Sequence, residues 1–266
     1  MPGQSSPTIA TSSITQATMH SMIPPAGPHA PQELSPGLSI KGIATQLKLA
    51  DYRLIAFDMD STLIDIECID EIADVVGKGP QVQAITEAAM RGEITDFGDS
   101  LRRRLEILAG TPVSALQRVY EHRLRLNPGA LQLLAYARWD GLKILLISGG
   151  FTYFTDRLKP RLGIDFARSN ALEIVDDVLT GRVLGEVVDQ HVKRDTVAEV
   201  CSRIGCTHEQ VIVVGDGAND LEMMGLAGLS VAYRAKPRVR AQAHISIDTG
   251  GLDRLLTVTE PSSAYR

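Results

Sequence analysis

Leu54-Ile55-Ala56-Phe57-Asp58-Met59-Asp60-Ser61-Thr62-Leu63-Ile64 is the stretch on which the fold turns. Four apolar residues follow one another without alternation, which predicts a strand buried on both faces. Two aspartates two residues apart then fall at its C-terminal end, where open α/β sheets place their ligands. Asp58 and Asp60 admit three readings: ligands of a divalent metal, a division of nucleophilic and acid/base work, or the capping of a turn. A calcium loop also spaces acids in this way, but counted from Asp58 it needs Gly sixth and Glu twelfth. Those positions hold Leu63 and Ile69, so that reading fails.

Two further apolar runs end in turns that carry chemistry. Leu142-Lys143-Ile144-Leu145-Leu146-Ile147 closes with Ser148-Gly149-Gly150 ahead of a helix. A hydroxyl, two glycines and a helix N-terminus suit an oxyanion, although many such turns are structural. Val211-Ile212-Val213-Val214 runs into Gly215-Asp216-Gly217-Ala218-Asn219-Asp220. That turn has the outline of a dinucleotide fingerprint, but Asp220 takes the sixth place, where a carboxylate would repel a pyrophosphate. Two acids and an amide suit a hard cation instead. The chain has no Gly-x-x-x-x-Gly-Lys-Ser/Thr loop.

Between the first two strands the apolar spacing predicts four helices, too many for an ordinary crossover. Ile69, Ile72, Ala73 and Val76 mark the first, stopped by Gly77-Lys78-Gly79-Pro80. The second is expected from Gln81 to Arg91, the third after a Thr95 cap, and the fourth from Ser114 to about Arg125. In the third, Arg104 follows Leu101 by three residues and Phe97 by seven, inside the apolar stripe, while Arg102 and Arg103 point away. An arginine there needs an anion, either an internal carboxylate or a ligand. Residues 170–188 read as a hairpin bending near Thr180-Gly181. Lys193 shares the inner face of the next helix with Val197 and Val200, yet helix phase does not choose between it and Arg194.

Composition excludes several classes. The 266 residues are 44% hydrophobic and 22% charged, as in an ordinary globule holding one large domain or one domain with an insertion. A net charge of -5 argues against a nucleic-acid-binding surface. No apolar stretch approaches the roughly 20 residues that span a bilayer. Cys68, Cys201 and Cys206 form no Cys-x-x-Cys pair, which points away from zinc and disulfides and toward a reducing cytoplasm. Residues 1–45, rich in Ser, Thr, Pro and Ala, read as a disordered leader without the features of a targeting peptide.

Asp58-Met59-Asp60-Ser61-Thr62, Ser148-Gly149-Gly150, Lys193 and Gly215-Asp216-Gly217-Ala218-Asn219-Asp220 resemble the four motifs of the haloacid dehalogenase-like hydrolases. Glu67 and Ser100-Leu101-Arg102-Arg103-Arg104 extend the resemblance to the phosphoserine phosphatases among them. The resemblance implies an α/β fold: a Rossmannoid parallel sheet with helices on both faces, formed by 46–66 and 130–260, and a small helical-bundle cap inserted over 67–129. It implies that Asp58 is a nucleophile that becomes an aspartyl phosphate and that Asp60 is the acid/base. Mg2+ would be held by Asp58, the Asp60 carbonyl and Asp216, with Asn219 beside the substrate and Asp220 in support. Ser148, Gly149 and Lys193 would bind phosphoryl oxygens. Glu67 would receive the ammonium of O-phospho-L-serine and Arg104 its carboxylate, with Met90 and Phe97 as apolar lining. The implied reaction yields L-serine and phosphate, the last step of L-serine biosynthesis, with no nucleic acid or membrane partner. Transfer to a small alcohol such as homoserine, or a non-catalytic metal- and phosphate-binding module, are the alternatives.

Two points of the residue reading pull against this picture. Helix phase sets Glu67 opposite the apolar stripe, as a solvated first-turn acid. Extended backbone would send Asp58 and Asp60 to opposite faces, so the chain must leave strand conformation near Met59 or Asp60.

Overall fold

The computed structural model describes residues 30–43 and 46–260, apart from the side chains of Met90 and Glu260. The chain opens with β1 (Gln32–Ser35) and β2 (Leu38–Ile40), followed by the short β3 (Leu47–Lys48) and then β4 (Leu54–Asp58). Four helices come next: α1 (Cys68–Val75), α2 (Gly79–Met90), α3 (Phe97–Ile107) and α4 (Val113–Arg118). α5 (Ala130–Trp139) leads into β5 (Lys143–Phe151) and α6 (Thr152–Leu162), then the β6 (Phe166–Val175) and β7 (Val178–Leu184) hairpin. α7 (Gln190–Ile204), β8 (Val211–Gly215), α8 (Leu221–Leu226), β9 (Leu229–Tyr233), α9 (Pro237–Arg240), β10 (Ile245–Ile247) and β11 (Thr259–Glu260) complete it.

One nine-stranded sheet runs β1-β2-β10-β9-β8-β4-β5-β6-β7, parallel from β10 to β6 and antiparallel at both edges. β4 lies between β8 and β5, and none of Leu54, Ile55, Ala56 and Phe57 is more than 1% exposed. Leu54 and Ala56 pack into the core on one face, Ile55 and Phe57 into the core on the other. That is why the run does not alternate: both faces are dry. β5 divides its residues in the same way, and its C-terminal end, like those of β4 and β8, opens on one side of the sheet.

Several boundaries depart from the sequence reading. The expected leader over 1–45 lies partly outside the described residues, but 32–40 form a hairpin on the sheet, with Leu38 and Ile40 at 2% and 3% exposure. Two inward residues on a three-residue strand set up no sustained period, and the surrounding Ser and Pro dominate the composition. α2 starts earlier than Gln81, with Pro80 in its first turn, where a missing N–H costs nothing. The cap of α3 is Asp96, not Thr95: its carboxylate accepts from Asp99 N–H at 2.6 Å. The helix expected to reach Arg125 ends at Arg118 and widens into a separate turn over Val119–Arg123, closed by Leu124 N–H on Val119 O at 2.9 Å. The β6–β7 turn is at Asp176-Asp177, φ 50° and 59°, which aspartate tolerates. Gly181 serves close packing instead, since a Cβ there would lie 3.0 Å from Leu105 O of α3.

Candidate active site

The chain leaves strand conformation after Asp58 through a turn over Met59–Leu63, closed by Ile64 N–H on Met59 O at 3.0 Å. Ser61 sits at φ 58° inside it. The turn is not helical, since Asp60 (φ -67°, ψ 135°) and Ser61 both lie outside helical φ/ψ. Its consequence is that the carboxyl groups of Asp58 and Asp60, which an extended strand would separate, line one cavity of about 480 Å3. Asn127 holds the turn by donating to Thr62 O and Ile64 O at 2.8 and 2.9 Å. Thr62 donates to Asp216 Oδ1 at 3.3 Å, and Ser61 to Glu67 Oε1 at 2.7 Å.

Lys193, in the first turn of α7, is 0% exposed. Its ammonium donates to Asp58 Oδ1 at 2.6 Å and Asp220 Oδ1 at 2.8 Å. Burial works against its charge, but the two carboxylates outweigh that and hold it protonated. Arg194 is spent on Asp195 and Glu222 at the surface, so the structure separates two residues that helix phase does not. Lys193 sits beneath the cavity wall, bonded to the carboxylate that the cavity exposes. Of its three N–H donors two are used, and one remains.

Asp220 has no spare oxygen of the usual kind: Oδ1 takes Lys193, and Oδ2 accepts from Asp216 N–H and Gly217 N–H at 3.1 Å each. It shapes the glycine turn, and a Cβ at Gly215 would lie 2.4 Å from it. Carboxylate oxygens of Asp58, Asp216 and Asp220 lie within 4.8 Å of one another. Burial, followed by the neighbouring Asp220 charge, raises the Asp58 carboxyl well above its ordinary range and pushes Asp216 up to about 7. Such crowding of hard oxygen donors fits a divalent cation, with Asp58 and Asp216 as the carboxylates left to bind it. Burial, then Glu67, pushes Asp60 up to about 8, and its Oδ1 has no hydrogen-bond partner among the described residues.

The other expected residues are distributed as follows. Ser148 is 0% exposed, and its Oγ accepts from Gly150 N–H at 2.8 Å, leaving the hydroxyl proton to donate. Ser148, Gly149 and Asn219 line the cavity, as do Glu67, Phe97 and Arg104 from the helices above. Glu67, read from phase as solvated, is exposed and yet lines the cavity, because it caps α1 instead of lying within it. Arg104 donates through Nε to Ser100 O at 3.3 Å and has no carboxylate within 4.0 Å among the described residues. The side chain of Met90 lies outside the described residues.

Sequence reasoning missed Asn170, which is 1% exposed. Its Nδ2 donates to Gly149 O and its Oδ1 accepts from Val188 N–H, both at 2.8 Å. It thereby ties the glycine end of β5 to the segment entering α7. No local pattern marks it. The same holds for Asn127, and Thr62 enters the sequence reading only as part of a motif.

A family model described as haloacid dehalogenase-like hydrolase matches residues 52–228. A phosphoserine phosphatase of Polaromonas sp. (strain JS666) is 56% identical over 234 residues, covering 86% of this chain and 99% of its own. A solved structure of a substrate-bound phosphoserine phosphatase complex superposes with a TM-score of 0.73 at 35% identity, covering 79% of this chain and 99% of the other. A phospho-aspartyl intermediate analogue of phosphoserine phosphatase gives 0.74 at 35% identity, with the same coverage of 79% and 99%.

Proposed function

This chain belongs to the haloacid dehalogenase-like hydrolases, and we propose that its reaction is hydrolysis of O-phospho-L-serine to L-serine and phosphate, the closing step of L-serine biosynthesis. One observation carries the substrate: a single cavity holds Asp58 and Asp60 together with the opposite charges of Glu67 and Arg104. A zwitterionic amino acid needs that pair, and a sugar phosphate does not.

Asp58 attacks phosphorus through Oδ2, since Oδ1 is held by Lys193. The P–O bond to the seryl oxygen breaks as the Asp58 bond forms, and Asp60 protonates the departing oxygen. A carboxyl raised to about 8 keeps that proton near neutral pH. Asp60, now a carboxylate, then takes a proton from the water that attacks the aspartyl phosphate. This frees phosphate and regenerates both acids. Ser148 Oγ–H, Gly149 N–H and the remaining Lys193 N–H face the phosphoryl charge. The donor set formed by Asp58, Asp216 and the Asp60 carbonyl suits Mg2+, which when bound would neutralise phosphoryl oxygens. Glu67 takes the substrate ammonium, Arg104 its carboxylate, and Phe97 covers the aliphatic carbon. In this reading residues 67–129 are a cap over the core. No helix among the described residues is long and apolar enough to cross a membrane. Free thiols at Cys68, Cys201 and Cys206 fit the cytoplasm as the compartment.

The test measures phosphate release from O-phospho-L-serine with Mg2+, for wild type and Arg104→Ala, with p-nitrophenyl phosphate alongside. We expect Arg104→Ala to lose the amino-acid substrate and keep the generic one. A wild type that prefers the generic substrate, with Arg104→Ala unchanged, would overturn the substrate assignment.

A further inference from the structure

Helix α1 carries three acids after its cap: Asp70, Glu71 and Asp74. Glu71 and Asp74 turn outward to Arg123, at 2.5 and 3.8 Å. Asp70 lies one turn after Glu67 and lines the cavity, as does Arg104 from α3. Its Oδ1 is buried and has no hydrogen-bond partner among the described residues. The Arg104 guanidinium is in the complementary state, with no carboxylate within 4.0 Å among the described residues and only its Nε bonded. An open donor and an open acceptor therefore line the same cavity. Burial disfavours the Arg104 charge, and of the acids that oppose this Asp70 acts most strongly, ahead of Glu67 and Asp60. An arginine inside an apolar stripe needs a counter-charge to stay aimed inward. Glu67, the other acid of this helix at the cavity, already accepts from Ser61.

We propose that Asp70 is a positioning residue for Arg104, its half-buried carboxylate on α1 drawing the guanidinium from α3 inward so that the free N–H groups meet the substrate carboxylate. The assignment rests on the phosphoserine reading above. It makes Asp70 a determinant of selectivity for carboxylate-bearing phosphate esters without direct contact with the phosphoryl group.

The experiment uses the full chain with Mg2+, comparing wild type, Asp70→Asn, Asp70→Ser and Asp70→Glu. KM and kcat are measured for O-phospho-L-serine. Inhibition constants are measured for 3-phosphoglycerate, which keeps a carboxylate without an ammonium, and for O-phosphoethanolamine, which keeps the ammonium alone. Thermal melting checks each fold. With both neutral variants we expect KM and the 3-phosphoglycerate constant to rise about three- to tenfold, kcat to change less than about twofold, and the phosphoethanolamine constant to hold. Asp70→Glu should recover part of the loss. Weakened phosphoethanolamine with unchanged 3-phosphoglycerate would overturn the proposal, because Asp70 would then be an ammonium acceptor. Equal losses for all three ligands, or no change, would overturn it as well. A wild type that releases no phosphate from phosphoserine removes the parent reading. An active wild type whose KM is unmoved by Asp70→Asn removes only the Asp70 assignment.

Discussion

Lys193 Nζ lies 2.6 Å from Asp58 Oδ1, a fully buried ammonium bonded to the carboxylate proposed as nucleophile. The contact fixes which Asp58 oxygen is free and opposes, without cancelling, the upward push that burial and Asp220 give that carboxyl. Replacing the lysine by Lys193→Met leaves Asp58 and Asp220 as neighbouring buried acids without a cation. Removing one partner from a buried ion pair costs roughly 3–5 kcal/mol. Urea unfolding should show a loss of that order, and phosphate release should fall by at least about a hundredfold. A Lys193→Met protein as stable as wild type would show that Asp58 and Asp220 do not depend on it.

Asp60 predicts two pH effects of known sign. A carboxyl raised to about 8 is protonated below that pH, so phosphoserine turnover should decline as pH rises through it. p-Nitrophenyl phosphate, whose leaving group needs no proton, should decline less. For stability in metal-free protein, the folded form keeps its proton between the ordinary 3.8 and about 8 while the unfolded form has lost it. The group therefore lowers stability as pH rises across that window. Asp60→Asn removes the penalty, so its Tm advantage over wild type should be larger at pH 8 than at pH 5. A difference independent of pH would contradict the raised value.

Much of this site was legible because its signals are local. The unbroken run Leu54–Phe57 follows from burial on both faces, and Arg104 is conspicuous because a helix stripe has no place for an unpaired charge. The contacts that hold the site together are not local. Thr62 meets Asp216 at a sequence separation of 154 and Asn170 meets Gly149 across 21 residues, so no window contains either pair. The 32–40 hairpin was hidden for another reason. Its strands are short, and β10, the partner of β2, enters some 200 residues later. The Asp176-Asp177 turn was masked by the nearby Gly181, whose lack of a side chain serves packing on α3.

Asn170 makes a prediction of its own. Asn170→Ala leaves Gly149 O and Val188 N–H without partners in a buried place, at a cost of about 1–3 kcal/mol. Asn170→Asp keeps the acceptor for Val188 but sets an oxygen against Gly149 O, so it should be at least as damaging. Both should weaken competitive inhibition by inorganic phosphate, since Gly149 loses its anchor. Unfolding curves and phosphate inhibition constants check this; a stable Asn170→Asp with unchanged inhibition would remove the residue from the site's scaffold.

Cation removal should separate Asp216 from Asp220. Dialysis against EDTA should abolish turnover, and MgCl2 should restore it. Ligand binding at a hundred times Kd adds about 2.7 kcal/mol to the folded state, so Mg2+ should raise the wild-type Tm. Asp216→Asn should lose most of that rise. Asp220→Asn should melt lower even without Mg2+, because its oxygens hold Lys193 and the Asp216 and Gly217 N–H groups. Equal Mg2+ responses in the two variants would refute this division of labour.

Gly149 and Phe97 join the core to the helices above it. A Cβ at Gly149 would lie 2.8 Å from Phe97 Cζ, a separation that real Cβ atoms essentially never show, so one of the two must move. The ring is the more mobile partner, being on the first residue of α3. Gly149→Ala should therefore lift Phe97 and the start of α3 off the strand end, raising KM for phosphoserine by about tenfold with a smaller change in kcat. Phe97→Ala alone should raise KM through lost apolar contact. Combined, the two substitutions should cost less than the sum of their separate effects, because the smaller side chain makes room for the new methyl group. Strict additivity in that cycle would mean that Gly149 is required for phosphoryl binding alone and not for the approach of Phe97.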